Sequence, residues 1–399
     1  MSARSPSPRR AAPAFSVVAI VRDEAARLPR LLASFAEFSS RGGEVLVLDT
    51  GSGDGTPTLA REAGCRVFVE PRRFNTRLTE GQAERIQEAF ARGGEGPFLA
   101  AGERVFSHTA ARNHAASLAR NDFQLAVDGS DQAEALDLDY LDATVRSGEF
   151  QILRFETRRL HEGRWFIENR NYFHDRRAIR WAGRAHNFVT SVVSGAAPAV
   201  IQLPRDRLRI AHHTAPKGRN HQFAAVALDA LKAPRSAHRG YLVGRELAIR
   251  GHYRSALAAF LALDRAEAQP ALRSAALGMA ASCLAEIADG GSEDAVAELL
   301  FKAARCDSTR RDPFLQLARR CVVAGDFQAA VSFASAALAI PPRVGFSELE
   351  ENQRDGPHAI LYWALFWLGR KSEAREHLKI CLNLDPMSPV YRDHARLFA

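Results

Sequence analysis

Lysine is nearly absent: the 399-residue chain has 5 lysines against 49 arginines, and only 3 methionines. Cysteine is also sparse. The five (Cys65, Cys283, Cys306, Cys321 and Cys381) are odd in number and form no CxxC pair. That argues against a disulfide framework or a zinc site and favours reduced, buried thiols in a cytoplasmic protein. Long apolar runs are missing too. A membrane-spanning helix needs roughly 20 such residues, and the stretch from Phe223 to Leu231 is short and carries Asp229. Residues 1–14 are basic and rich in Pro and Ser, without the apolar core of a secretory signal, and read as a flexible arm. With 46% hydrophobic and 25% charged residues, 27 Gly and 18 Pro, collagen-like, fibrous and wholly disordered classes are excluded.

What is abundant is arginine. The net charge of +8 comes from 54 basic against 46 acidic residues. The segment Arg146–Arg184 alone holds ten arginines and five acids, an excess of +5. Guanidinium forks suit phosphate-bearing ligands, although an arginine-rich chain also presents such stretches as plain solvated surface.

The chain changes character near residue 218. Before it, Phe15–Val21, Glu44–Asp49, Cys65–Glu70 and Phe123–Asp128 are short apolar runs that read as strands. Segments of helical spacing separate them at 24–38, 56–64 and 108–120. This alternation predicts an α/β domain over 15–217 with a parallel sheet, interrupted by an insertion at 71–107. After residue 218, Ala256, Ala295, Ala330 and Ala374 follow turn glycines Gly251, Gly291, Gly325 and Gly369 at spacings of 39, 35 and 44. These lie at or somewhat above the 34-residue period of tetratricopeptide-type hairpins, so 218–399 reads as an all-α helical-repeat domain.

Three strand ends carry carboxylates: Asp23-Glu24, Asp49 with its turn Gly51-Ser52-Gly53-Asp54-Gly55, and Asp128-Gly129-Ser130-Asp131. In open α/β sheets that edge is where ligands bind. Hard oxygen ligands there suit Mg²⁺ or Mn²⁺ bridging a diphosphate. His186 and His212 are further candidates near the end of this part.

Residues 15–131 resemble the family 2 glycosyltransferases of GT-A, nucleotide-diphospho-sugar type. The likeness rests on Asp23-Glu24, Asp49 to Thr56, Ala111-Arg112-Asn113 and Asp128 to Asp131, in order and spacing. It implies an inverting enzyme using a UDP-sugar. Glu24, Asp49, Gly51, Ser52 and Asp54 would hold the donor, with Asp49 on the pyrimidine, and Arg112 and Asp128 would lie at the diphosphate. Asp128, Ser130 and His212 would hold Mn²⁺ or Mg²⁺, Ser130 standing where the family has a carboxylate. Asp131 or His186 would take the acceptor proton. The resemblance extends to family members whose repeats accompany transfer to peptides or envelope glycans, and to phage enzymes. Three readings follow. A protein, peptide or glycan acceptor would use the repeats. A hydroxylated base in DNA would use Arg158, Arg159, Arg176 and Arg177. A degenerate transferase with a repeat scaffold would do neither.

Overall fold

A computed structural model describes residues 12–161, 163–184, 188–213, 220–264, 268–287, 292–342 and 347–398. The chain divides into two compact units, one of residues 1–76 and 104–218, the other of residues 77–103 and 219–399.

The first unit is a mixed sheet with helices. Strand β1 (Phe15–Val21) is followed by α1 (Leu28–Ser34), α2 (Ala36–Ser40), β2 (Glu44–Asp49), α3 (Thr56–Glu62) and β3 (Arg66–Val69). Next come β4 (Asn75–Arg77), α4 (Glu80–Phe90), β5 (Arg104–Phe106) and α5 (His108–Leu118). The remainder is β6 (Phe123–Asp128), β7 (Asp131–Leu136), α6 (Leu138–Ser147), β8 (Ile152–His161), β9 (Arg164–Asp175), β10 (Ile179–Ala182), β11 (Phe188–Ser191), β12 (Val200–Gln202) and β13 (Leu208–His213). The sheet order is β3-β2-β1-β6-β9-β8-β13-β7, with β12 beside β8.

Strands β3, β2, β1 and β6 run parallel, as the alternation predicts, and β9 joins antiparallel. Strands β1, β2 and β6 are buried on both faces, which explains their continuous apolar runs. Phe15, Phe35, Phe38, Phe155 and Phe173 fill one side of the sheet. The helix expected over 24–38 is in fact two. Pro29, which lacks an N–H, fits only a first helical turn, so α1 starts at Leu28, and Phe35 breaks it from α2. Of the expected arm, residues 1–11 lie outside the described residues. Residues 12–14 are tied down: the Ala14 amide donates to Asp142 at 2.7 Å, and Ala12 accepts from Arg146 at 3.1 Å.

The insertion corrects the expected domain boundary. Residues 77–103 belong with the repeats rather than with the α/β unit. Thr79 and Gln82 form a capping box that starts α4. Glu95 then accepts from the amides of Arg254 and Ser255 at 3.0 and 2.9 Å, and Phe98 packs edge-on to Phe223. Phe98 and Leu99 are buried. The apolar residues of the insertion need the helices after residue 218 to cover them.

Those helices are α7 (Asn220–Lys232), α8 (Ala237–Ile249), α9 (Tyr253–Asp264), α10 (Pro270–Glu286), α11 (Glu293–Cys306), α12 (Asp312–Ala324), α13 (Phe327–Ala339), α14 (Glu350–Gln353), α15 (Gly356–Trp367), α16 (Lys371–Leu384) and α17 (Pro389–Ala395). Gly325 closes the α12–α13 turn at φ +78°, a conformation other residues rarely adopt. The repeated alanines Ala256, Ala330 and Ala374 are fully buried where paired helices meet. The fourth copy is weaker: Gly291 lies outside the described residues, and Val296 rather than Ala295 is buried. Gly244 shows why small residues sit at these crossings, since an added Cβ would lie 2.7 Å from Phe260.

Candidate functional site

The C-terminal ends of β1, β2 and β6 form one edge because the three strands are parallel and in register, Val21 beside Asp49 and Ile20 beside Asp128. Asp23 bends away from β1 at φ +53°, and its carboxylate accepts from the Gly53 amide at 2.8 Å. The Asp23 amide donates to Ser52 at 2.8 Å, and the Glu24 amide to Thr56 at 2.8 Å. Asp54 accepts from the amides of Ala25 and Thr56. Burial pushes the Asp54 carboxyl upward, but the Thr56 hydroxyl and these amides outweigh it and hold it low. The Gly/Ser-rich turn is therefore clasped to the end of β1 by four residues that the motif supplies.

Asp49 closes β2. It is fully buried, its Oδ1 accepts from the amides of Gly51 and Ser52 at 2.9 and 3.0 Å, and its Oδ2 from the Ser52 hydroxyl. In this structure it organises the turn. Glu24 is also buried and pairs with Arg27 at 2.5 Å. It lies against Gly129, where an added Cβ would be 2.6 Å from Glu24 Cγ. That close approach gives the glycine of Asp128-Gly129-Ser130 a steric reason.

Beside this turn lies a polar cluster at the end of β6. Asp128 keeps 30% of its side chain exposed, and its Oδ1 accepts from Arg112 Nη2 at 2.7 Å. Asp131 is 2% exposed. One of its oxygens meets His212 Nδ1 at 2.6 Å, and the other accepts from the Asp128 amide at 2.8 Å and lies 3.8 Å from Arg170. His212 reaches Asp131 because β13 pairs with β7 at that register. Ser130 Oγ is 3.5 Å from the same His212 nitrogen. Burial pushes the Asp128 carboxyl upward, but Arg112, His212, Arg170 and His108 together hold it down at about 2.

Asp128, Asp131 and His212 place their ligating atoms within 4.8 Å of one another, a set that could hold a metal ion. Two carboxylates and an imidazole suit Mn²⁺ or Mg²⁺. Since His212 Nδ1 is engaged by Asp131, its Nε2 is the nitrogen left for a ligand, the arrangement by which carboxylates orient metal-binding histidines. The same contacts bear on the proton acceptor expected at Asp131. Both Asp131 oxygens are engaged and the residue is buried, and one of them holds His212. His186, the other candidate, lies outside the described residues, as does Asn187.

The Ala111-Arg112-Asn113 motif acquires a role residue by residue. Ala111 is fully buried against the sheet. Arg112 is packed between Trp181 and Tyr172, its guanidinium carbon 4.5 and 4.9 Å from their ring centres. Asn113 exchanges two hydrogen bonds with the Trp181 backbone, at 3.0 and 3.1 Å. So α5 fixes both Asp128 and the segment at Trp181. Arg170 belongs to this cluster but was not singled out from the sequence. Burial works against its charge, but Glu168 and Asp131 outweigh that and raise it. The signal available was the alternation Glu168-x-Arg170-x-Tyr172 in β9, which puts all three on one strand face.

The four arginines expected at an acceptor are not brought together. Arg158 and Arg159 lie beside Ala211 and His212 of β13. Arg176 and Arg177 follow Asp175, which pairs with Phe123 at the start of β6. That is the opposite end of the strand from Asp128, about 17 Å away at the rise of an extended chain. Arg158 pairs with Glu134 at 2.8 Å and stacks on Trp165, while Arg159 faces Glu168 at 3.7 Å. Arg176 bonds Asp122 and the Ala116 and Ala119 carbonyls at the end of α5. Arg177 pairs with Asp175 at 2.7 Å.

No protein-family model matches the chain. A stretch of 53 residues, 13% of this chain, is 52% identical to a TPR repeat-containing protein of Synechococcus elongatus and covers 12% of that protein's length. Among solved structures, MamA is similar at a TM-score of 0.34 and 16% identity, over 42% of this chain and 88% of that one. YrrB, a TPR protein with an unusual peptide-binding site, follows at 0.33 and 14%, over 44% and 82%. TarS of S. aureus, residues 1–349 in complex with UDP-GlcNAc, is similar at 0.30 and 12%, over 91% and 88%. None reaches a TM-score of 0.5, so the function rests on the residues themselves. The repeats after residue 218 are tetratricopeptide-like.

Proposed function

We propose that the chain is a family 2 glycosyltransferase that moves a sugar from a UDP-sugar to a macromolecular acceptor with inversion. The observation that carries this reading is the convergence, on one sheet edge, of the clasped Asp49–Thr56 turn with Arg112, Asp128, Asp131 and His212. A diphosphate needs positive charge, a cation site and exposed backbone, and that edge offers all three.

Asp128 and His212 would hold Mn²⁺ or Mg²⁺, with Asp131 orienting the histidine. When bound, the ion supplies charge neutralisation at the diphosphate. Arg112, locked by its stacking, stands ready to share the charge that develops as the bond between sugar C1 and the diphosphate oxygen breaks. The acceptor oxygen bonds C1 from the other side and releases its proton to a base. The repeats supply a surface for an extended acceptor, a peptide or glycan chain. The DNA reading loses support, because its four arginines lie at opposite strand ends and each already has an acidic partner.

The test is donor hydrolysis by the full-length protein with UDP-glucose and UDP-N-acetylglucosamine in Mn²⁺. Turnover should fall by about a hundredfold or more in Asp128→Ala and on chelation, the range expected when charge stabilisation at a leaving group is removed. Wild-type turnover by Asp128→Ala in the presence of chelator would overturn the reading.

A further inference from the structure

The turns that close the α8–α9, α12–α13 and α15–α16 hairpins are built alike. Gly251, Gly325 and Gly369 adopt φ of +76° to +78°, and each precedes a fully buried alanine, Ala256, Ala330 or Ala374, by the same interval. Just before each glycine an apolar side chain is exposed: Ile249, Val323 and Trp367. Each turn therefore sets an apolar residue beside the N-terminus of the hairpin's second helix.

At the first hairpin the chain itself occupies this surface. Glu95 of the insertion accepts from the amides of Arg254 and Ser255 at 3.0 and 2.9 Å, in the first turn of α9, where a carboxylate caps the helix and meets the positive end of its dipole. Phe98, three residues on, packs against His252 in the turn and Phe223 near the start of α7, with ring centres 4.8 and 5.7 Å away. At the second hairpin α13 caps itself, since Asp326 accepts from the Ala329 amide at 3.0 Å. At the third, the position of Asp326 is held by Arg370, whose side chain makes no cap. The amides of Ser372 and Glu373 there correspond to those that Glu95 meets on α9. Beside them Trp367 is 55% exposed and stacks flat on Phe327, the planes 12° apart and the ring centres 5.9 Å. Phe327 opens α13, the helix before this hairpin, much as Phe223 lies near the start of α7. We propose that the α15–α16 turn docks a partner-protein segment bearing a carboxylate and, three residues later, an aromatic ring, the pattern that Glu95 and Phe98 present to the first hairpin.

Charge and packing both favour that occupant. Arg370 is engaged by Glu373 through two hydrogen bonds of 2.7 Å. The exposed Lys371, its ammonium 5.9 Å from the Phe366 ring centre, and the terminus of α16 are left to receive an incoming carboxylate. Trp367, backed by Phe327, offers a stiff, flat apolar face of the kind that anchors binding interfaces. A second copy of the chain would not supply the segment, because its own Glu95 and Phe98 are engaged by its first hairpin. None of these residues belongs to the Asp128 cluster, so the docking site does not depend on what that cluster binds.

The experiment is calorimetric titration of the full-length protein with a synthetic peptide of residues 92–99, Arg-Gly-Gly-Glu-Gly-Pro-Phe-Leu. Saturable binding should weaken by about tenfold or more in Trp367→Ala and in Lys371→Glu, the range for truncating an interface anchor or reversing a charge beside a bound one. Val323→Ser, at the self-capped second turn, should bind as the wild type does. With the wild-type protein, replacing the peptide's glutamate by glutamine or its phenylalanine by alanine should weaken binding likewise, a readout independent of how the variants fold. Absence of saturable binding would overturn the proposal. So would equal affinity in the wild type, Trp367→Ala and Lys371→Glu, which would put the peptide on the first hairpin in exchange with the insertion.

Discussion

Arg112 is the residue on which most of the site converges. It carries the ion pair to Asp128, stacks between Tyr172 and Trp181, and is 6% exposed. A lysine keeps the charge but loses the planar fork and the stacking. Arg112→Lys should therefore slow donor turnover by at least about tenfold and cost on the order of 1–3 kcal/mol of stability. Steady-state turnover and a denaturant titration measure the two, and wild-type values in both would mean the stack is incidental. His174 offers a pH test nearby. It is 1% exposed and packs edge-on to Trp181, and burial drives its imidazole down to about 4 from 6.5. A histidine that charges less readily when folded favours unfolding in acid. Its contribution is intact above pH 6.5 and is lost as pH falls from 6.5 toward 4. The loss amounts to roughly 2–4 kcal/mol. His174→Gln should flatten stability against pH over that window, and an unchanged slope would contradict the assignment.

At the scale of elements, the strands were legible because burial on both faces writes itself as unbroken apolar runs, and Phe15–Val21, Glu44–Asp49 and Phe123–Asp128 appear with the expected ends. The ion pairing of the β8–β9 arginines was not legible, since the partners of Arg158 and Arg159, Glu134 and Glu168, are set by strand register. Nor was the buried state of Asp49, which depends on how its turn closes. The insertion was visible as a break in the alternation, but its destination was not, because Glu95 meets Arg254 and Ser255 roughly 160 residues away. That destination has a consequence for truncation. A chain ending near His213 would strip the cover from Phe98, which is buried against Phe223 and His252, leaving about 1.5–3 kcal/mol of unburied apolar surface at that side chain. Such a truncation should aggregate, whereas one that also replaces residues 77–103 with a short linker should be markedly more soluble. Size-exclusion chromatography distinguishes them, and equal monodisperse behaviour would show that the insertion does not need the repeats.

At the scale of the whole molecule, a sheet edge carrying the Asp128, Asp131 and His212 cluster and a tetratricopeptide-like array share one chain. The repeat period was readable from turn glycines and buried alanines; what the repeats hold was not, because their ligand chemistry depends on a surface that periodicity does not encode. The central claim is that the Asp128 edge binds a nucleoside diphosphate together with a divalent ion. Its most direct test is calorimetric titration of UDP into the full-length protein with and without Mn²⁺. Binding should tighten by about tenfold or more with Mn²⁺, lose that gain in Asp128→Asn, and gain further in Ser130→Asp, which adds a carboxylate beside His212. Absence of UDP binding in both conditions, or an affinity indifferent to Mn²⁺ and to Asp128→Asn, would contradict it.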